Sequence, residues 1–403
     1  MNNSLKKLGP GLLFTGAAIG VSHLVQSTRA GADFGFGLIW ALLLVNLFKY
    51  PFFQFAPRYA SATGESLLDG YQKLEKGVLI IYFILTFTTM FTIQTAVTIV
   101  TAGIASSLFG DFISTEVWSI IILFICISIL IIGRYKLLDN LMKIIIVTLT
   151  ISTVFAVALA FSGSSEFISL KQILPANKIE IAFLIAFMGW MPAPLDISVW
   201  HSLWSIEKKK DTILKPKEAL FDFNIGYLST IILGIGFVSL GALIMYNSGE
   251  TFSKSASVFS NQLIRMYTKS LGNWAYIFIG IAAFTNMFST TLTTLDASPR
   301  AMHKTSQLLF KDSFNKGYIL WIGLLTIGTI SILLFFISEM GLLIKIATIL
   351  SFITAPFYAI VNYKLISSKH TPKEWRPSKS LHILSWLGII FLIGFSIWYL
   401  TIL

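Results

Sequence analysis

The sequence is poor in charge and nearly devoid of cysteine. Only 12% of its 403 residues are charged, while 55% are hydrophobic. Soluble domains carry about 25% charged residues. Half that number cannot coat a globular surface of this size, which excludes water as the main solvent and leaves lipid. The single cysteine, Cys126, excludes an internal disulfide and a cysteine metal cluster, and in its apolar run it reads as a buried, inert thiol. No Walker, GxSxG, HExxH or CxxC pattern occurs, which argues against an ATP-driven pump subunit or a common hydrolase. No catalytic set calls for a cofactor. The apolar stretch after Lys6 and Lys7 has no A-x-A-like cleavage site. It is expected to be the first spanning helix rather than a removed signal peptide.

What is present is aromatic and basic. The chain has 34 Phe, 10 Trp and a net charge of +11, and aromatics suit helix packing and membrane interfaces. The cations lie between apolar runs rather than on one face, a topology signal and not a nucleic-acid footprint. A bilayer core needs about 20 apolar residues per helix. The runs that qualify are 11–30, 36–58, 78–106, 117–133, 141–162, 180–204, 219–246, 274–297, 317–338, 341–363 and 381–402, here called spans 1 to 11. Gly110, Gly163, Pro216, Gly272, Pro299, Gly341 and Pro372 read as breakers between them.

Lys and Arg collect in cytoplasmic loops. Lys6 and Lys7 precede span 1, and the even-numbered gaps hold Arg58, Lys73 and Lys76, then Arg134 and Lys136, then five lysines between Lys208 and Lys217, then Arg300 to Lys316, then Lys364 to Lys379. The odd gaps are sparse in cations and hold Asp33, Asp111, Glu116, Glu166 and Glu250. The alternation predicts an integral protein of the cell membrane with its N-terminus cytoplasmic and its C-terminus outside. Gap seven, about 247–273, carries Val258, Leu263, Ile264 and Tyr267 at a spacing that suggests a short surface helix. The stretch from Glu65 to Asp69, after Gly64, reads as the start of an interfacial helix.

Spans 1 and 6 therefore begin on opposite sides, so two five-helix units would run in opposite senses. In such inverted repeats the first helix of each unit is broken at mid-membrane to form a site. Span 1 carries Gly16 and Gly20, and span 6 carries Met191-Pro192-Ala193-Pro194. Two prolines at that spacing cannot sit in an unbroken helix. Carbonyls freed in lipid must face a ligand or a water-filled cavity. The predicted architecture is all-α and polytopic, a single transporter domain over 1–403. Repeat 1 covers about 8–162, repeat 2 about 180–363, and an extra helix 381–402.

Leu8-Gly9-Pro10-Gly11-Leu12-Leu13, Ala30-Gly31-Ala32, Phe34-Gly35-Phe36 and Met191-Pro192 carry a resemblance to the natural-resistance-associated macrophage protein family of divalent-metal transporters. The resemblance implies a leucine-transporter-like fold, secondary transport of a divalent cation of the Mn, Fe and Mg class, and proton symport. It implies that Ala17 and Met188 offer backbone carbonyls to the substrate. Family members place Asp-Pro-Gly-Asn at the break in span 1; the same positions here are Gly20, Val21, Ser22 and His23. The Met-Pro-His-Asn of span 6 is here Met191-Pro192-Ala193-Pro194. The thioether is kept, and the Asp of span 1 is absent.

Ionisable residues inside spans are functional by default. Asp196 is the nearest replacement carboxylate, His23 could supply imidazole, and with Met191 they form the expected metal ligand set. The substrate-binding set adds Ala17, Gly20 and Met188. His201, ten residues after Met191, and Asp196 are the proton-coupling candidates. Arg29 is expected to pair with Asp33 four residues on, and Asp222, Asn224 and Asp296 to meet loop cations. Lys49, Gln94 and Lys143 are weaker candidates. An alternative cargo on the same scaffold is a small organic molecule or anion, because half-helix N-termini present positive dipole ends. The expected partners are a small solute or ion and the lipid bilayer, with no nucleic acid.

Overall fold

The computed structural model describes residues 9–110, 112–132, 135–163, 169–211, 215–246, 253, 256–310, 316–335 and 340–402. Loop charges such as Arg134, Glu166, Glu250 and Lys254, and the side chain of Lys143, lie outside the described residues. All eleven spans are helical, and no strand occurs among the described residues. Spans 2, 3, 4, 5 and 7 are Ile39–Thr63, Lys76–Phe109, Thr115–Ile132, Tyr135–Gly163 and Pro216–Ile244. Spans 8 to 11 are Ala275–Phe310, Gly317–Phe335, Met340–Ser367 and Lys379–Ile402. Among the described residues, eight helices are individually long and apolar enough to cross a bilayer. Spans 1 and 6 are not among them because each is broken, and span 5 contributes the shorter apolar stretch Ile146–Ser162.

Local sequence explains the ends. Asn177 accepts from Glu180 N and caps span 6, Pro216 opens span 7, and Gly64 (φ 77°) closes span 2 in the left-handed region that favours glycine. The expected surface helix in gap seven is Ala256–Leu271. The interfacial helix is Leu67–Leu74, opened by a capping box between Ser66 and Asp69. One breaker does not break. Span 8 continues through Pro299 to Phe310. Proline removes one helical bond, and here Arg300 Nη2 reaches back 2.6 Å to Asp296 Oδ1 across that turn. Tyr318 also donates to Asp296.

Span 1 packs along span 7, the second half of span 6 along span 2, and span 3 along span 8. If spans 1, 2 and 3 correspond to spans 6, 7 and 8, these contacts are reciprocal, as an inverted repeat demands. The span 1–span 7 contact is close backbone packing. A Cβ on Gly11 would stand 2.3 Å from Asp222 O, and one on Gly31 would stand 2.1 Å from Val238 O. From the other helix, Gly226 faces Gly11 O at 2.4 Å and Gly241 faces Thr28 O at 2.2 Å by the same measure. Small residues admit this approach in membrane bundles. The outward faces of spans 4, 5 and 9 expose Phe124, Ile132, Ile151 and Ile327, as a lipid-facing surface should.

At the basic end of the bundle, Asp69 of the interfacial helix meets Lys304 of span 8 at 2.7 Å. Burial opposes the Asp69 carboxylate charge, but bonds from Lys304 and Ser66 outweigh it and hold its pKa below the ordinary aspartate value. A depressed folded-state pKa contributes stability that is present above the unfolded value, about 3.9, and is lost as pH falls through the folded value. Melting temperatures of wild type and Lys304→Met should therefore differ by a constant amount above about pH 5 and converge below about pH 4. The partly exposed pair is worth about 1 kcal/mol or less. A difference that persists unchanged at pH 3 would show that the contact is not ionic.

Candidate substrate site at two opposed helix breaks

Span 1 runs as a helix over Pro10–Ala18, opens at Ile19 and Gly20, and resumes as a π-helical turn, Ser22–Ser27, followed by Thr28–Phe34. Span 6 stops at Trp190, is extended at Met191, and restarts at Ile197. Each break exposes carbonyls that lack the usual helical donor. Those of span 1 find donors on span 8, where Asn286 Nδ2 bonds Ile19 O at 2.6 Å and Thr290 Oγ1 bonds Gly16 O at 3.2 Å.

The span 6 carbonyls are met by a charge. Lys49 Nζ, fully buried at mid-span 2, donates to Gly189 O at 2.7 Å, Met188 O at 2.9 Å and Ala193 O at 3.3 Å. A cation at the C-terminal end of a helix is where the macrodipole favours it. Asp196 follows Ala193 by three residues in the same break. Lys49 ranks low by sequence and is the strongest ionic feature of the break. The signal that pointed to it was a lone lysine inside the apolar run from Ile39 to Tyr50.

The expected substrate residues separate into distinct places. Ala17 and Gly20 line a small cavity with Ala18, Trp190, Pro194 and Trp200. Its volume is about 20 Å³, room for roughly one water. Met188 turns its carbonyl to Lys49. Met191 is fully buried, with Ser27 Oγ 3.9 Å from its sulfur. Met191 Sδ and the His23 ring both lie beside Gly234 of span 7. His23 Nε2 is 3.0 Å from Thr230 O and Nδ1 is 2.7 Å from Ser22 Oγ. Nδ1 also lies 3.1 Å from Ala18 O, so both ring nitrogens are engaged, Nδ1 by two residues that line the cavity.

Asp196 is buried, and its Oδ1 lacks a hydrogen-bond partner among the described residues. Tyr82 forms edge-on contacts with both Tyr71 and Tyr358. Tyr71 donates to Asn362, which bonds Ser198 Oγ at 3.0 Å. His201 lies a helical turn further towards the basic end, between Phe14 and Phe223 at ring distances of 5.6 and 5.7 Å. Neither of its nitrogens has a partner among the described residues. It lines a second small cavity with Ser61, Ser205, Lys209 and Asp222. No cluster of three His, Cys, Asp or Glu suited to a metal occurs among the described residues.

Two further expectations change. Asp222 does more than meet loop cations: its carboxylate accepts from Gly11 N at 2.7 Å and Gly9 N at 3.2 Å and so caps span 1. Asn224 bonds Tyr50 at 2.8 Å rather than a cation. Arg29 lies over the Phe183 ring at 5.5 Å while its charge acts on Asp33. Gln94 bonds Thr98 and Thr291 O, a packing role between spans 3 and 8.

An all-helical bundle with opposed breaks in spans 1 and 6 defines a membrane transporter of the leucine-transporter-like fold. A family model described as natural resistance-associated macrophage protein-like matches residues 11–401, and the chain belongs to that family. An uncharacterized protein of Pasteurella multocida (strain Pm70) is 34% identical over 403 residues, covering 98% of this chain and 92% of its own length. Two solved structures show the same fold. A mutant of the Eremococcus coleocola manganese transporter superposes with a TM-score of 0.71 at 15% identity, covering 98% of this chain and 85% of that one. MhsT in complex with L-phenylalanine gives 0.67 at 16% identity, covering 96% and 98%. The chain is a transporter and not an enzyme.

Proposed function

We propose that the protein is a secondary transporter whose cargo is a divalent metal cation of the Mn, Fe and Mg class, bound between the breaks of spans 1 and 6. One observation carries this reading within the family: the carbonyls freed at the span 6 break already hold a positive charge, the Lys49 ammonium, at 2.7 to 3.3 Å. Such oxygens suit a hard cation. The cargo would be held by the carbonyls of Ala17 and Met188 and by the Asp196 carboxylate, with the Met191 thioether supplying a soft ligand. The His23 ring lies with Met191 Sδ beside Gly234, where its imidazole would be the further ligand of the set. Asp196 and His201 are the groups placed to move a coupling proton, since each has polar atoms without a partner among the described residues. The charge pattern supports a cell-membrane protein with a cytoplasmic N-terminus and an external C-terminus.

A second reading, a small organic or anionic cargo, is favoured by the cavity itself. Trp190, Trp200, Ile93 and Val97 line it, and no carboxylate does. Uptake by proteoliposomes separates the two. Vesicles holding the full chain should take up Mn²⁺ above the level of empty vesicles, with Mg²⁺ or Fe²⁺ competing. No uptake of any of the three would favour the organic or anionic cargo.

A further inference from the structure

We propose that Lys49 is a tethered stand-in for the cargo: its ammonium fills the span 6 carbonyl cradle when no cation is bound, and the arriving cation displaces it towards Asp196. The inference rests on the metal reading above and adds an internal competitor to it.

The geometry is that of a cation site. Lys49 Nζ has three carbonyl oxygens as donor-satisfying partners, from Met188, Gly189 and Ala193, on either side of the break at Met191 and Pro192. The lysine reaches them from another helix, 139 to 144 positions away in sequence, so nothing local obliges the contact. The residue is fully buried, where an unpaired ammonium is prohibitively unstable. Coordinated oxygens lie about 2.0–2.6 Å from Mn²⁺-, Mg²⁺- or Ca²⁺-type cations. A cation on Met188 O would thus lie within about 5.5 Å of an ammonium that kept its own 2.9 Å bond. At that separation in a buried site, the like charges repel strongly, so cargo and ammonium exclude one another from the cradle. Asp196 provides the destination. It is buried in the same break, three residues after Ala193, whose carbonyl Lys49 already holds, and has a carboxylate oxygen with no hydrogen-bond partner among the described residues.

A purely structural lysine would also cap these carbonyls, and charge separates the roles. Lys49→Gln keeps N–H donors for the cradle and removes the charge; Lys49→Met removes both. Binding of Mn²⁺ alone to the purified full chain should be more than tenfold tighter in Lys49→Gln, and in Lys49→Met where that variant folds. Folded variants with wild-type or weaker Mn²⁺ affinity overturn the proposal and leave the metal reading standing. If neither wild type nor variants bind Mn²⁺, the metal reading fails and the exchange fails with it. Should both variants misfold, reductive methylation of the wild-type chain decides the matter. Saturating Mn²⁺ should change Lys49 labelling severalfold, read by mass spectrometry, and unchanged labelling overturns displacement.

Discussion

Asp196→Asn should weaken Mn²⁺ binding by at least about 100-fold while leaving the protein folded. The change is isosteric and removes one charge. Two effects act in the same direction. The cargo loses its only proposed side-chain anion, and Lys49 loses the carboxylate that would receive it, so it holds Met188 O, Gly189 O and Ala193 O more firmly. Losing a buried partner of a charge typically costs about 2–5 kcal/mol, and 100-fold corresponds to about 2.8 kcal/mol. Because the two residues interact, the effects should not add. In the Lys49→Gln background, Asp196→Asn should cost less than in wild type. Calorimetric titration of Mn²⁺ into the four proteins of this cycle gives the coupling. A folded Asp196→Asn protein with wild-type affinity would make Asp196 a structural counter-ion and nothing more.

Restoring a carboxylate to span 1 should have the opposite effect. Gly20 lines the cavity, but a Cβ there would stand 2.8 Å from Thr290 Cγ2. Gly20→Asp alone forces Thr290 aside. Gly20→Asp combined with Thr290→Ala supplies room at the loss of the Thr290 bond to Gly16 O. If the breaks hold a divalent cation, the double variant should bind Mn²⁺ at least tenfold more tightly than Thr290→Ala. Each unit of opposite charge at 4 Å is worth about 4 kcal/mol at an effective dielectric of 20, before desolvation is subtracted. If the breaks hold an anionic cargo, the new charge faces a like charge, and native transport stops with no gain in Mn²⁺ affinity. Uptake and binding measured on the same preparations distinguish the outcomes.

The scaffold was legible in the sequence because lipid leaves few choices. A run long enough to span must be helical, and the order of basic and non-basic gaps orients the runs. Pro192 and Pro194 could only mark a break. Pro299 was misread for the same local reason, since its neighbourhood includes a compensating Asp296–Arg300 contact that composition does not announce. The site was less legible. Ala17 and Gly20 do line a cavity together, but the His23 ring turns to Thr230 and the Met188 carbonyl turns to Lys49, both settled by helices far away in sequence. An apolar run containing one lysine says that the charge needs partners; it does not say which. The same holds for Asp222, whose partners Gly9 and Gly11 lie more than 200 residues away.

The glycine contacts between spans 1 and 7 bear on how the protein can move. Gly11 and Gly31 lie on opposite sides of the span 1 break, and both abut the backbone of span 7, at Asp222 and Val238. Swinging one half of span 1 against the other would pull one of these contacts open and strip a carbonyl of its close packing. Span 7, continuous from Pro216 to Ile244, thus splints span 1 across its own gap. Span 6 is bridged differently: its first half packs mainly on span 10 and its second half on spans 1 and 2, and what ties the halves together is the Lys49 side chain of span 2, on Met188 O, Gly189 O and Ala193 O. Backbone packing thus holds the two halves of span 1 in line, whereas the two halves of span 6 are held by a single side chain that can let go, and bending during alternating access is expected at the span 6 break.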